Sequence, residues 1–417
     1  MLDFLRFHNV GPSPSLGIQF NPRLNVLTGD NGLGKSFLLD AAWWALTRTW
    51  ARRPLMPHPA PSSAKLEYAF STQGGKPIER VGRFNRQEDE WQIPPGRPPI
   101  PGLVIYAQVD GGFAVWDPER NYSKKEDPDR PASYRFSAQE VWDGLPLDSP
   151  DKLCNGLIAD WGHWQLEDGE AFRQLTSVLR ALSPNPSERL EAGKLLKVSL
   201  NDARRHPTLR MPYGRDVPLI HASAGMRRIV ALAYLLVWTW QEHLAACTLK
   251  GKQPAKEIIF LVDEIEAHLH PRWQRRIVPA LLGVMDELTG HDEVPMQLIA
   301  ATHSPLVTAS LEPHFDSERD AIWELDLVDG AVELQRSAWY RRGDANAWLT
   351  SSVFDLKQAR SLEAEHALTR AHDLLREPEP DSRDIEQVDA LLQACLGDTD
   401  RFWVRWSAWR DERNGVS

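Results

Sequence analysis

The chain has 417 residues, 42% of them hydrophobic and 25% charged, and an excess of acids leaves a formal net charge of −10. That balance belongs to a globular protein too long for one simple core. It argues against a uniformly basic nucleic-acid binder, though not against a local basic patch. No apolar run is long enough to span a membrane, and the opening MLDFLRFHNV lacks the pattern of a secretory leader. Cys154, Cys247 and Cys395 form no CxxC, so neither a zinc hook nor a disulfide framework is expected, and a reducing cytoplasm fits best.

In chain order, Leu2–Asn9 and Leu16–Leu27 alternate like two strands around a Gly-Pro-Ser-Pro turn. A glycine-rich loop and an apolar helical run, Phe37–Leu46, follow, and then a proline-rich loop over 51–64. Residues 65–117 alternate around Gly74-Gly75 and Gly111-Gly112, which predicts antiparallel hairpins, and 118–132 reads as a charged loop. Mixed helices are expected over 136–200 and one long apolar helix over 225–247. Glu257–Val262 and Gln297–Ala301 are short apolar runs of the kind that form buried parallel strands, with helical periodicity over Pro271–Leu288 between them. Beyond about residue 335 the chain turns helical and polar, broken at the Glu-Pro-Glu-Pro of 377–380.

Three segments carry chemistry. Gly29-Asp30-Asn31-Gly32-Leu33-Gly34-Lys35-Ser36 matches GxxxxGK[ST] between a strand and a helix. Glycines let backbone N–H groups turn inward on phosphate oxygens, and the following helix aims its positive end at the same anion. Lys35 is then expected on the terminal phosphates and Ser36 on Mg²⁺, with Asn31, Gly32, Gly34 and Phe37 completing the nucleotide cradle. Asp263 and Glu264 cap the apolar run Ile258–Val262, which places Asp263 toward Mg²⁺, directly or through water, and Glu264 beside the attacking water. His303 follows the next buried strand, where an imidazole reaches the γ-phosphate or orients Glu264 and water.

These motifs, in this order, resemble ABC-type ATPase heads of the RecF, SMC and OLD group, an α/β P-loop fold. The segment His221–Ala233 is similar to the group's SxG signature, which implies that Ser223 and Gly225 touch the γ-phosphate held by a second copy of the chain. The resemblance also implies a Mg²⁺ contact for Gln108, after Leu103–Ala107, and a dimer-contact loop at Glu266–Pro271 in which His270 stands where other members have aspartate. Stretches Pro212–His243, Asp263–Leu281, Ala300–Pro313 and Gly343–Phe354 look most like ATPase subunits of Septu and related retron antiphage systems, whose partner is a separately encoded HNH nuclease. Only 37–222 separates phosphate loop from signature and carries no sustained heptad, so no long SMC-type arm is expected. Residues 330–417 are too short for the OLD nuclease domain and lack its glutamate-then-DxD arrangement.

The resulting expectation is an ATPase head over 1–330, with a nucleotide core (1–117 plus 255–330), an antiparallel β subdomain and a helical signature lobe (118–254), followed by a helical extension over 331–417. ATP and Mg²⁺ are the implied ligands and a homodimer or higher oligomer the implied assembly, with a separate effector as partner. A RecF-like DNA-repair ATPase and a low-turnover ATP-binding scaffold are the competing readings. Arg204, Arg205, Arg210, Arg215, Arg272, Arg275 and Arg276 could grip DNA phosphates, although a solvated, acid-balanced face is the commoner use of such clusters. Trp403, Trp406 and Trp409 sit three apart, as a partner-binding stripe or, more commonly, as packing onto the chain's own core.

Overall fold

Leu24–Gly29, Leu103–Ala107, Ile258–Val262 and Met296–Ala301 are apolar runs buried over nearly their whole length. Strands without polar alternation need cover on both faces, which a parallel sheet between other layers provides. In the computed structural model these four and Asp320–Val328 form the parallel heart of an eight-stranded sheet. Ala331–Arg336 closes one edge antiparallel, and Phe113–Trp116 with Tyr134–Phe136 closes the other. The structure describes residues 1–59, 63–71, 77–92, 100–121, 131–146, 152–289, 294–354 and 356–413. Contacts divide the chain into two units, Met1–Ala345 and Asn346–Ser417, so the edge strand Ala331–Arg336 falls within the stretch expected to be helical extension.

A second sheet is antiparallel throughout, in the spatial order Ser15–Gln19, Leu2–His8, Lys65–Phe70, Ile78–Asn85, Glu90–Gln92. The helix Lys35–Thr47 packs against both sheets, which is why its residues 41–46 are buried on every side. Trp43 meets Tyr106 of the central sheet at 6.3 Å, while Trp44 meets Tyr68 of the second sheet edge-on at 5.9 Å and stacks on Trp50 at 5.4 Å. The second sheet makes room for Trp44 at Gly82, where a Cβ would lie 2.4 Å from the indole.

A helical lobe follows: Ala138–Asp143, Leu157–Glu167, Glu170–Ala181, a small three-stranded sheet, and the 27-residue helix Ala224–Lys250. Glu170–Ala181 packs on both Ala224–Lys250 and Ile277–Thr289, and Gln174 Nε2 donates to Leu288 O at 2.9 Å. Among the described residues, no helix is long and apolar enough to cross a membrane.

Several expectations change here. The run Leu16–Leu27 splits into strands of different sheets, because Pro22 has no N–H to donate and the Asn25 side chain closes a turn on the Asn21 backbone, accepting from its N–H and donating to its carbonyl. Leu103–Ala107 joins the central sheet rather than a chain of hairpins, although Gly111-Gly112 does turn it into Phe113–Trp116. Gly74-Gly75 lies outside the described residues. Pro271–Leu288 is two helices, Pro271–Gln274 and Ile277–Thr289.

The second unit holds all but the first residue of the helix Ala345–Leu349, together with helices Leu362–Leu374, Ser382–Cys395 and Phe402–Arg413. Its tryptophans pack inward: Trp406 is fully buried, stacks on Trp409 at 5.3 Å and donates through Nε1 to Asp389 Oδ1 at 2.7 Å.

Trp44 fills the space between the two sheets, so Trp44→Ala is expected to destabilise the chain by about 3–5 kcal/mol. Urea unfolding followed by tryptophan fluorescence and circular dichroism measures it.

Candidate functional site

The strand register decides what meets at the carboxyl rim of the central sheet. Val262 lies opposite both Ala107 and Ala300, and Ala301 lies opposite Leu27. The residues immediately beyond are therefore neighbours: Gln108, Asp263-Glu264, Thr302-His303 and the phosphate loop, at the end of an α/β sheet where ligands bind.

The loop itself needs its glycines. Gly29 and Gly34 sit at φ +126° and +108°, and a Cβ on Gly29 would fall 2.2 Å from Leu325 O. Gly34, the N-cap of Lys35–Thr47, offers no side-chain cap, which leaves the first N–H groups of that helix for an anion. Lys35 is buried, and its Nζ donates to Gly29 O at 2.8 Å and Asp30 O at 2.7 Å. Burial lowers the Lys35 pKa, against the pull of Asp263, Glu264, Asp30 and Glu266. Asn31 and Gly32 are exposed and Ser36 is half-buried. The Phe37 ring packs on Phe7 at 4.9 Å, against the core, while its backbone belongs to the first turn of the helix.

Asp263 is buried; its backbone N–H donates to Ala107 O at 2.9 Å and its Oδ2 accepts from Arg52 Nη2 at 3.3 Å. Glu264 adopts φ +45°, a left-handed conformation that costs a non-glycine residue about 1–2 kcal/mol and that clusters at functional sites. Gln108 is buried, in a tight turn closed by its N–H to Gly112 O at 2.9 Å. Ser36, Gln108 and Asp263 can each offer an oxygen ligand, and with the unused helix N–H groups these residue types fit a phosphate-bound Mg²⁺. His303 is half-buried; burial and then the Lys35 charge lower its pKa, with Glu266, Glu264 and Asp30 opposing, so the imidazole is neutral at neutral pH.

Three residues that motif spacing did not single out hold these groups. Arg228 Nη1 donates to Val109 O at 2.9 Å, and its Nη2 donates to Asp263 O at 3.1 Å and Glu264 O at 3.2 Å. Glu266 accepts from Thr302 Oγ1 at 2.7 Å and from the His303 backbone N–H. Arg52 joins Asp263 to Asp40. All three act across the fold, and the only local signal was a doubled arginine, Arg227-Arg228, in the signature segment.

Among the described residues, no hydrogen bond joins Ser223 or Gly225 to the phosphate loop of their own chain. Ser223 is exposed and caps its helix, accepting from Met226 N at 3.3 Å. Gly225 is buried, and a Cβ there would stand 2.6 Å from His268 O, so the glycine allows the helix to rest on the Glu266–Pro271 loop. His270 caps the next helix by accepting from Arg272 N at 3.3 Å. Of the arginine clusters, Arg204 pairs with Asp143 and Asp202, Arg210 with Asp216, and Arg272 with Glu188, which is the acid-balanced arrangement.

Arg228→Ala removes a half-buried cation that binds three carbonyls and is expected to lower stability by about 2–4 kcal/mol. Arg228→Lys, with its charge retained but no fork, should recover only part of that. Chemical denaturation of the three proteins measures the series.

Residues 24–309 match the family described as "AAA domain, putative AbiEii toxin, Type IV TA system". The chain is similar to the Septu protein PtuA of Bacillus mycoides, 28% identical over 169 residues that cover 40% of this chain and 21% of PtuA. It is also similar to the retron Ec83 probable ATPase of Escherichia coli, 27% identical over 147 residues covering 35% of this chain and 24% of that protein. The matched segments thus span about a fifth to a quarter of these relatives. Among solved structures, an SmcHead bound to the C-winged helix domain of ScpA aligns with a TM-score of 0.44 at 16% identity, over 81% of this chain and 97% of that one. The SMC head domain of Thermotoga maritima aligns at 0.40 and 16%, over 81% and 99%. With more than half of its residues matched by the family, the chain belongs to the AAA domain family so described.

Proposed function

We propose that the protein binds Mg²⁺-ATP at the carboxyl rim of its central sheet and hydrolyses it between two copies of the chain, as the regulatory ATPase of an antiphage system that controls a separate effector, such as an HNH nuclease. The observation that carries this reading is the convergence of Lys35, Asp263-Glu264 and His303 around one loop whose glycines and helix start are shaped for phosphate.

In this reading Lys35 Nζ exchanges the carbonyls of Gly29 and Asp30 for the terminal phosphate oxygens. Ser36, Asp263 and Gln108 would hold the divalent cation, which would neutralise charge on the phosphates. Glu264, on its constrained backbone, orients the attacking water and accepts its proton. The neutral His303 imidazole donates a hydrogen bond to the transferring phosphoryl oxygens, its backbone fixed by Glu266. The exposed Ser223 and the start of its helix close the site of the other copy. Arg228 lies on that same helix and grips the carbonyls of Asp263 and Glu264. Closure and opening then bias the effector through a population shift. The relatives support the defence setting: one is a Septu protein and one a retron probable ATPase. The pairing of Arg204, Arg210 and Arg272 with acids favours this reading over a DNA-repair clamp.

Glu264→Gln is expected to keep nucleotide binding, lower turnover by about 10²–10⁴-fold, and accumulate an ATP-dependent dimer. Phosphate release and mass photometry read both effects, and unchanged turnover would remove Glu264 from the chemistry. Because the His303 pKa lies below the ordinary 6.5, turnover should be steady across neutral pH and fall only on acidification past that value. His303→Asn should lose this acid limb in a pH–rate profile.

A further inference from the structure

Arg52 lies in the bend after the phosphate-loop helix and reaches three elements at once. Its Nε donates to Asp40 Oδ1 at 3.1 Å, and its Nη2 donates to Tyr106 OH at 2.8 Å and to Asp263 Oδ2 at 3.3 Å. Asp40 belongs to the phosphate-loop helix, Tyr106 to the strand that leads into Gln108, and Asp263 ends the acidic strand. Arg52 is therefore wired to the supports of every residue on the metal side. Among the described residues, Arg52 is the only side chain in an ion pair with Asp263, which is 1% exposed.

A buried carboxylate, Asp263, and a half-buried one, Asp40, share the single Arg52 guanidinium, an unbalanced set. Burial pushes the Asp40 pKa up, Arg52 opposes this, and the Asp263 charge adds to it. A guanidinium stays charged at any working pH, so it cannot release the acids by losing a proton. It can be displaced only by another cation. The geometry also says which contact gives way: at 3.3 Å the bond to Asp263 is the longest of the three, while Tyr106 and Asp40 are held more closely.

We propose that Arg52 is a positioning residue, a resident counter-ion that orders the Asp263 carboxylate when no divalent cation is present and yields Oδ2 to the cation while staying anchored on Asp40 and Tyr106. Arg52 thereby sets how much divalent cation the site demands. This rests on the reading of Asp263 as a metal-side acid.

The test is a titration of Mn²⁺ followed by the electron paramagnetic resonance signal of the free ion, on the full chain without nucleotide and again with a non-hydrolysable ATP analogue. Arg52→Gln leaves Asp40 and Asp263 without their cation and is expected to bind Mn²⁺ about tenfold tighter than the parent in the nucleotide-free protein. Asp263→Asn should abolish the gain. Should Arg52→Gln fail to fold, the pair Arg52→Gln with Asp40→Asn removes one charge of each sign and is expected to fold and still to bind Mn²⁺ more tightly than the parent. Mn²⁺ affinity at or below the parental value in a folded variant overturns the proposal while leaving Asp263 on the metal. Mn²⁺ binding indifferent to Asp263→Asn, with or without nucleotide, overturns both.

Discussion

Everything at the rim depends on where four parallel strands end. With Val262 level with Ala107 and Ala300, and Ala301 level with Leu27, the residues after each strand can only fall together. A slip of one residue in any strand would turn every side chain of that strand to the opposite face and move its end group off the rim. The register is in turn held by cover on both faces. The buried helix Lys35–Thr47 and its tryptophans fill one side, and the helices that follow the acidic strand pack beneath the helical lobe on the other. Packing energy far from the rim is thus what places Lys35.

The second constraint is charge. Lys35, Arg52 and Arg228 stand among Asp30, Asp40, Asp263, Glu264 and Glu266, with Lys35 and Asp263 buried. Such a concentration is costly unless each group has a partner. The partners observed are mainly backbone: Lys35 on the carbonyls of its own loop, Arg228 on the carbonyls of the two acids, Glu266 on the His303 N–H. Backbone partners leave side-chain oxygens and the lysine ammonium available for exchange with a nucleotide. The left-handed conformation of Glu264 belongs to the same design, since it turns the chain sharply between Asp263 and Ile265, whose N–H returns to Ala301 O at 3.1 Å.

What the sequence made legible follows from the range of each cause. The phosphate loop, the acid pair and His303 are local patterns next to apolar strands, and the structure brings them to one rim. The long helix Ala224–Lys250 was readable from its periodicity, but the reason for Gly225, close packing on His268 O, was not, because it depends on a loop more than forty residues away. Arg52 and Arg228 were missed for the same reason: a guanidinium that bonds across 211 or 35 positions leaves no spacing signal. The break at Asn21–Pro22 had a local signal, a proline beside an asparagine, which the apolar alternation on either side obscured.

The most direct test is a structure of the protein with Mg²⁺ and a non-hydrolysable ATP analogue. Lys35 Nζ is expected to leave Gly29 O and Asp30 O and to lie within hydrogen-bond distance of the terminal phosphates, with Asp263 and Glu264 on the same side. A nucleotide bound elsewhere, or one bound in the loop while Lys35 still caps its own carbonyls, would contradict this.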